Sequence, residues 1–276
     1  MHFKIFVYIC NRMDFYKFYK YHGTGNDFIL LDNRDKSIAL STFDVRQLCD
    51  RKYGIGADGL ILLNPSEQAD FEMVFYNNDG STDTFCGNGG RCIATFAHRL
   101  GIMDEKGCFL ASDGVHQAEI ISKLNHNETV VRISMKDCAM PQQFHDDIFF
   151  INTGSPHLVI FNDDIEALDI LSLGAQHSND PRITGRANVN FVEKQPDRLA
   201  VRTFERGVED ETRSCGTGIV ASALTYAAHF LKDTPQNVIT VESRGGTLKV
   251  YYAKTDNTFH DVYLEGKATF VFEGKF

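Results

Sequence analysis

No tract of biased composition interrupts the chain, and prolines are few, 6 in 276 residues, which excludes the disordered and fibrous classes. There is no surplus of positive charge. Against 37 acidic residues stand 28 Lys and Arg, for a net charge of -9, so there is no basic stripe to neutralise phosphates and nucleic acid is not an expected partner. No apolar run is long enough to cross a bilayer, so no membrane partner is expected either. Paired Cys-x-x-Cys spacing is also missing. The cysteines (Cys10, Cys49, Cys86, Cys92, Cys108, Cys138 and Cys215) are odd in number and scattered, which fits a reduced cytosol better than a disulfide framework or a metal site. Small-molecule chemistry on an ordinary globular fold remains, in one large domain or two of usual size.

The opening MHFKIFVYICNRMDF lacks a full apolar segment and a small-residue cleavage site, so it does not read as a signal peptide. Because Met13 is followed at once by an alternating strand pattern, residues 1–12 are expected to be a start-site extension or a loose arm. Short alternating strands dominate the rest, among them FYKFYKY, DGLILLN, TVVRISM, ANVNFVE and HDVYLEGKATFVF. Two clear helices, GNGGRCIATFAHRLG and GTGIVASALTYAAHFLK, are apolar over much of their circumference and must be buried.

Those helices sit in equivalent settings. DGSTDTFCGNGGRC and RGVEDETRSCGTG share one plan, an acidic Ser/Thr-rich loop leading through Cys-Gly-x-Gly into a helix. The expected fold is α+β, an α/β mixture of two similar domains. Each is a curved mixed or antiparallel sheet around a central helix, with the site in the cleft between them. The expected division is residues 1–135 and 136–267, with the final strand 268–276 returning to the first unit.

A cysteine opening a helix faces unpaired N–H groups and the positive end of the dipole, which are expected to lower its pKa into the range of about 3.5 to 7.5. Gly87 and Gly216 let the backbone approach a ligand, so the same amides can take a carboxylate. Two such loops facing each other would leave Cys86 and Cys215 on opposite faces of one carbon, the arrangement for inverting it with one thiolate base and one thiol acid. A single buried cysteine usually just packs, and that reading stands for the other five; the duplicated context argues for function at these two. HGTGND and YGIGADG complete neither a P-loop nor a dinucleotide fingerprint, and serve equally well as turns. Asn26, Asn77, His157, Asn188, Glu205 and Arg206 are the remaining polar candidates, each alone more often a turn former or surface group.

The strings YHGTGNDF, GIGADGL, NNDGS, FCGNGGRC, GSPH, FERGVEDET and SCGTG, in this order over residues 18–272, resemble the diaminopimelate epimerase family. The resemblance implies a homodimer without a cofactor that interconverts LL- and meso-diaminopimelate for lysine and cell-wall synthesis. It assigns Cys86 and Cys215 as the acid/base pair, with Cys86 deprotonating the LL isomer and Cys215 the meso isomer. Gly87, Asn88, Gly216 and Thr217 become the backbone cradle for the reacting carboxylate. Asn26, Asn77, Asn188, Glu205 and Arg206 become holders of the amine and the distal end, and His157 and Glu205 tune the thiols. Gly59 stands where many members have Gln, and Ser155 where many have Asn; a water beside Gly59 and the Ser155 hydroxyl are expected to compensate.

Three rival readings stay open at this level. One is an epimerase of another amino acid such as proline or hydroxyproline, for which Arg206 would lack a partner. Another is a cysteine hydrolase, which needs one thiol and one His and leaves the duplication unexplained. The last is a binding protein that has lost its chemistry, against which both intact cysteine loops argue.

Overall fold

The computed structural model describes residues 16–82, 85–231 and 237–276, so the arm expected over residues 1–12 lies outside the described residues. Strands β1 (Lys17–Gly23), β2 (Asn26–Asp32), β3 (Gly59–Asn64), β4 (Phe71–Asn77), β5 (Lys106–Ala111), β6 (Gly114–Lys123) and β7 (Glu128–Ser134) make up the first half. With them go helices α1 (Thr42–Cys49) and α2 (Gly87–Arg99). The second half holds β8 (Cys138–Ala139), β9 (Gln142–His145), β10 (Ile148–Asn152), β11 (Pro156–Phe161), α3 (Ile170–Ser178), β12 (Asn188–Lys194), β13 (Leu199–Glu205), β14 (Asp210–Thr212), α4 (Gly216–Phe230), β15 (Val238–Ser243) and β16 (Gly246–Lys254). A long strand, β17 (Thr258–Lys275), closes the chain.

The duplication seen in two loops extends to the whole topology. In the first half β1 and β2 pair antiparallel, β2 and β3 parallel, β3 and β4 antiparallel, β4 and β5 parallel, β5 and β6 antiparallel. In the second half β10, β11, β12, β13, β15 and β16 pair in the same sequence of senses. The sheets are therefore mixed. β17 ties the halves together: its first part pairs with β16, and residues 269–275 pair antiparallel with β1.

Each half wraps a central helix. In α2 every residue from Gly87 to Ala97 is buried, and Phe96 packs at 4.7 Å from the Tyr19 ring. α4 is buried on almost all sides, including Ile219, Val220, Leu224 and Ala227. Truncating such a side chain to alanine costs about 2–5 kcal/mol, so these helices anchor the fold as well as the site. Two shorter helices, α1 and α3, were not expected. Their signals were local: Ser41 and Asp44 form a reciprocal capping box, and Asp169 caps Ser172. Among the described residues, no helix is long and apolar enough to cross a membrane.

Candidate active site

Cys86 is the N-cap of α2 and Cys215 the N-cap of α4, both with extended backbone. The two helix starts abut. A Cβ built on Gly216 would stand 3.4 Å from the Cα of Gly87 and 3.5 Å from the Asn88 nitrogen, and a Cβ built on either glycine would stand 3.4 Å from the buried Leu264 of β17. Side chains at Gly87 and Gly216 would fill the space where the two helix N-termini meet. The first-turn N–H groups of both helices, those of Gly87, Asn88, Gly216 and Thr217, have no helical carbonyl to bond.

Around Cys86, the thiol donates to Asn26 Oδ1 at 3.5 Å and accepts from the Gly89 N–H at 3.5 Å. Asn26 is itself held by Asp58, at 2.9 Å, and Arg51 bridges Asp58 and Asp27 at 2.6 Å each. Asn88 crosses between halves: its Nδ2 donates to the Ser214 carbonyl at 2.8 Å and to Asn26 Oδ1 at 3.3 Å. The side chains of Asn26 and Asn88 thus bind the two cysteine loops to each other.

Around Cys215, Sγ lies 3.5 Å from Thr217 Oγ1, and Thr217 Oγ1 lies 2.9 Å from Nε2 of the fully buried His157. Asn190 fixes the proton positions. Its Nδ2 donates to the Leu158 carbonyl at 2.9 Å, which can only accept, while its Oδ1 takes the Thr203 hydroxyl at 3.0 Å. The same Nδ2 therefore donates to His157 Nδ1 at 3.1 Å, the His157 proton sits on Nε2, and Thr217 is left to turn its hydroxyl toward sulfur. Burial keeps His157 neutral by pushing its pKa down to about 3, with the Arg206 charge acting in the same direction.

Glu205 lies between the two systems. Thr212 donates to its carboxylate at 2.5 Å, and its charge is felt at both sulfurs. Burial raises the Glu205 pKa above the usual carboxylate value. The expected depression of the thiol pKa values is not met. Burial, with Glu205 adding to it, pushes Cys86 up to about 11 and Cys215 well above the normal thiol range, outweighing the backbone N–H groups that pull each down.

The other expected residues divide into two clusters. Asn188 donates to the Ser155 hydroxyl at 3.3 Å and accepts the Arg206 backbone N–H at 3.1 Å. Arg206 Nη1 caps the carbonyls of Gly185 and Arg186, at 2.6 and 3.0 Å. Asn77 pairs with Gly59 in the strand register and donates to the Ser81 hydroxyl at 3.0 Å. A side chain at Gly59 has no room: a Cβ there would meet the Phe75 ring at 2.6 Å and the Tyr76 carbonyl at 2.7 Å. The Phe75 ring occupies that side of the strand. Asp58 and Asn190 were missed in the sequence. The signal for Asn190 was its spacing of two from Asn188 on one strand, which puts both side chains on one face.

A duplicated fold that brings two equivalent helix N-termini together, each capped by a cysteine, defines a class, the amino-acid epimerases. The family model of diaminopimelate epimerase matches residues 18–135 and 149–271, and the chain belongs to that family. A diaminopimelate epimerase of Flavobacterium psychrophilum is 45% identical over 260 residues, covering 93% of this chain and 98% of the relative. Among solved structures, a phenazine biosynthesis protein of the PhzF family from Bacillus anthracis superposes with a TM-score of 0.73 at 16% identity, covering 96% of this chain and 99% of that one. A hydroxyproline epimerase from Agrobacterium vitis gives 0.66 at 14% identity, covering 95% and 92%. At those identities the two structures share the fold with this chain.

Proposed function

We propose that the chain interconverts LL- and meso-2,6-diaminopimelate by moving one α-proton between two sulfurs. The observation that carries this reading is the meeting of Gly87 and Gly216, which puts the amides of two helix starts on one small space with a cysteine at the head of each helix. A carboxylate held there by Gly87, Asn88, Gly216 and Thr217 presents its α-carbon to both thiols. One sulfur, as thiolate, takes the proton while the other, as thiol, delivers one to the opposite face. The amides stabilise the carbanion-like charge that spreads onto the carboxylate.

With the thiol pKa values raised, the reactive thiolate must be made on demand. Glu205, whose charge acts on both sulfurs, is assigned as the proton acceptor, and Thr217, oriented by His157, donates to the resulting sulfur anion. Cys86 then acts as acid, and the roles exchange in reverse. Asn26, Asn77, Asn188 and Arg206 are assigned to the amine and the distal amino-acid end. Residues 1–135 and 136–267 serve as the two domains, and the protein works as a homodimer in a reducing cytoplasm, where free thiols persist. The step as written uses only the chain's own acid and base, with no cofactor.

The test is proton NMR of LL-diaminopimelate in deuterium oxide with reduced protein, Cys86→Ala and Cys215→Ala. The expected outcome is the meso isomer carrying deuterium at the inverted carbon, lost in both variants. Absence of conversion and of exchange in folded, reduced native protein refutes the substrate assignment.

A further inference from the structure

Arg91 is the least expected charge in the molecule. It sits on α2 with no exposed surface, four residues after Gly87 and so directly behind the first turn. Its partners are neutral oxygens: Nη1 donates to the Gly87 carbonyl at 3.3 Å, and Nη2 to Asn88 Oδ1 at 2.8 Å and Thr24 Oγ1 at 3.3 Å. Nε has no hydrogen-bond partner. Among the described residues no carboxylate forms an ion pair with it. A buried cation without an anion is strongly unfavourable, and burial holds this guanidinium down to about 10, still charged at neutral pH.

The fold nevertheless keeps a slot for it. A Cβ on Gly23 would lie 3.3 Å from Arg91 Nη2, and one on Gly266 would lie 3.2 Å from Nε, so two strands leave out their side chains where the guanidinium passes. A methionine would fill that slot without the desolvation penalty. The groups that act on the Arg91 charge are the thiols of Cys86 and Cys92, and only Cys86 belongs to the site.

We propose that Arg91 is the fixed countercharge of the active site. It supports the Cys86 thiolate by its charge, from behind the helix turn that Cys86 caps, and it supports a bound carboxylate by polarising the Gly87–Asn88 peptide, whose carbonyl it binds and whose N–H belongs to the cradle. It also orients the Asn88 side chain, which reaches the Ser214 carbonyl beside Cys215 and Asn26 beside Cys86. The charged and titratable groups around Cys86 from other elements are Glu205 of β13, Cys215 at the start of α4, and Asp58 behind Asn26. Glu205 opposes the thiolate, and Arg91 is the cation that offsets it. The carboxylate part of the proposal rests on the two-cysteine reading above; the thiol part requires no substrate.

The experiment is alkylation of Cys86 by iodoacetamide as a function of pH, followed at that residue by peptide mass spectrometry. Native protein is compared with Arg91→Met, Arg91→Gln and Arg91→Lys, with thermal melts in parallel. The expected result is a Cys86 profile displaced upward by about one pH unit in the Met and Gln variants, so that alkylation at fixed pH slows about tenfold, with most of the loss recovered in Arg91→Lys. An unmoved profile in a folded neutral variant overturns the proposal, as does a Lys variant displaced as far as Met. Neutral variants that fail to fold also overturn it, because a charge kept for the site is one the fold does without. The readout is independent of turnover, so it separates this proposal from the choice of diaminopimelate as substrate.

Discussion

Asn190 donates to His157 Nδ1 at 3.1 Å, and through that one contact it decides which way the hydroxyl of Thr217 faces Cys215. Asn190→Asp puts an acceptor where the donor stood and draws the imidazole proton to Nδ1, so Nε2 then competes with sulfur for the Thr217 proton. The expected outcome is a fall in kcat of roughly 10- to 100-fold, with KM within about twofold, since no proposed substrate contact is touched. Steady-state kinetics check this, and an unchanged kcat in the folded variant would remove the relay from the mechanism.

Glu205 is half-buried, and desolvation raises its pKa from 4.5, so folding favours its protonated form. The sign follows from linkage: the stability it contributes is present below the unfolded pKa and is lost as pH rises through the higher folded value. Glu205→Gln keeps the acceptor for Thr212 and removes the charge. The variant is expected to melt higher than native protein at pH 7, with the gain vanishing toward pH 4, while turnover drops at least tenfold. Thermal melts across that range are the check; a gain that grows toward acid would reverse the assignment.

At Gly216 a Cβ meets Gly87 and Leu264 at 3.4 Å, ordinary contact distances, on a helical backbone without strain. Gly216→Ala should therefore fold with a melting temperature close to native. Because the methyl enters the space proposed for the carboxylate, kcat/KM should fall at least tenfold, about 1.4 kcal/mol of transition-state binding. Kinetics comparable to native protein would place the carboxylate elsewhere.

Gly59→Ala is the converse, since its Cβ would press the Phe75 ring at 2.6 Å and the Tyr76 carbonyl at 2.7 Å. The ring can rotate away but the carbonyl cannot, so destabilisation of about 1–3 kcal/mol is expected, with partial recovery in the double variant Gly59→Ala/Phe75→Ala. Denaturant titration of both variants and of Phe75→Ala alone measures both effects.

Oxidation should silence the enzyme. A Cys86–Cys215 disulfide removes acid and base together, so activity should depend on reductant and return fully when it is restored. Undiminished turnover with that bond complete, established by mass spectrometry, contradicts the two-thiol chemistry.

The sequence alone determined the two buried helices, the cysteines at their heads and the duplicated plan. Each of these is local: a Cys-Gly-x-Gly step, an apolar helix circumference, a strand period of two. The short helices α1 and α3 were legible too, in the caps at Ser41 and Asp169, although their weaker apolar faces hid them. Only the tertiary structure decided what those residues face. Desolvation of both sulfurs, with the Glu205 charge, reversed the expected direction of the thiol pKa values, and the Phe75 ring closed Gly59 to a side chain. Arg91, one charge on an apolar helix, acquired its meaning from Thr24 and from glycines of β1 and β17, far away in the chain. Helix starts and strand periods are written in neighbouring residues, whereas desolvation and close contact depend on which distant segments the fold brings together.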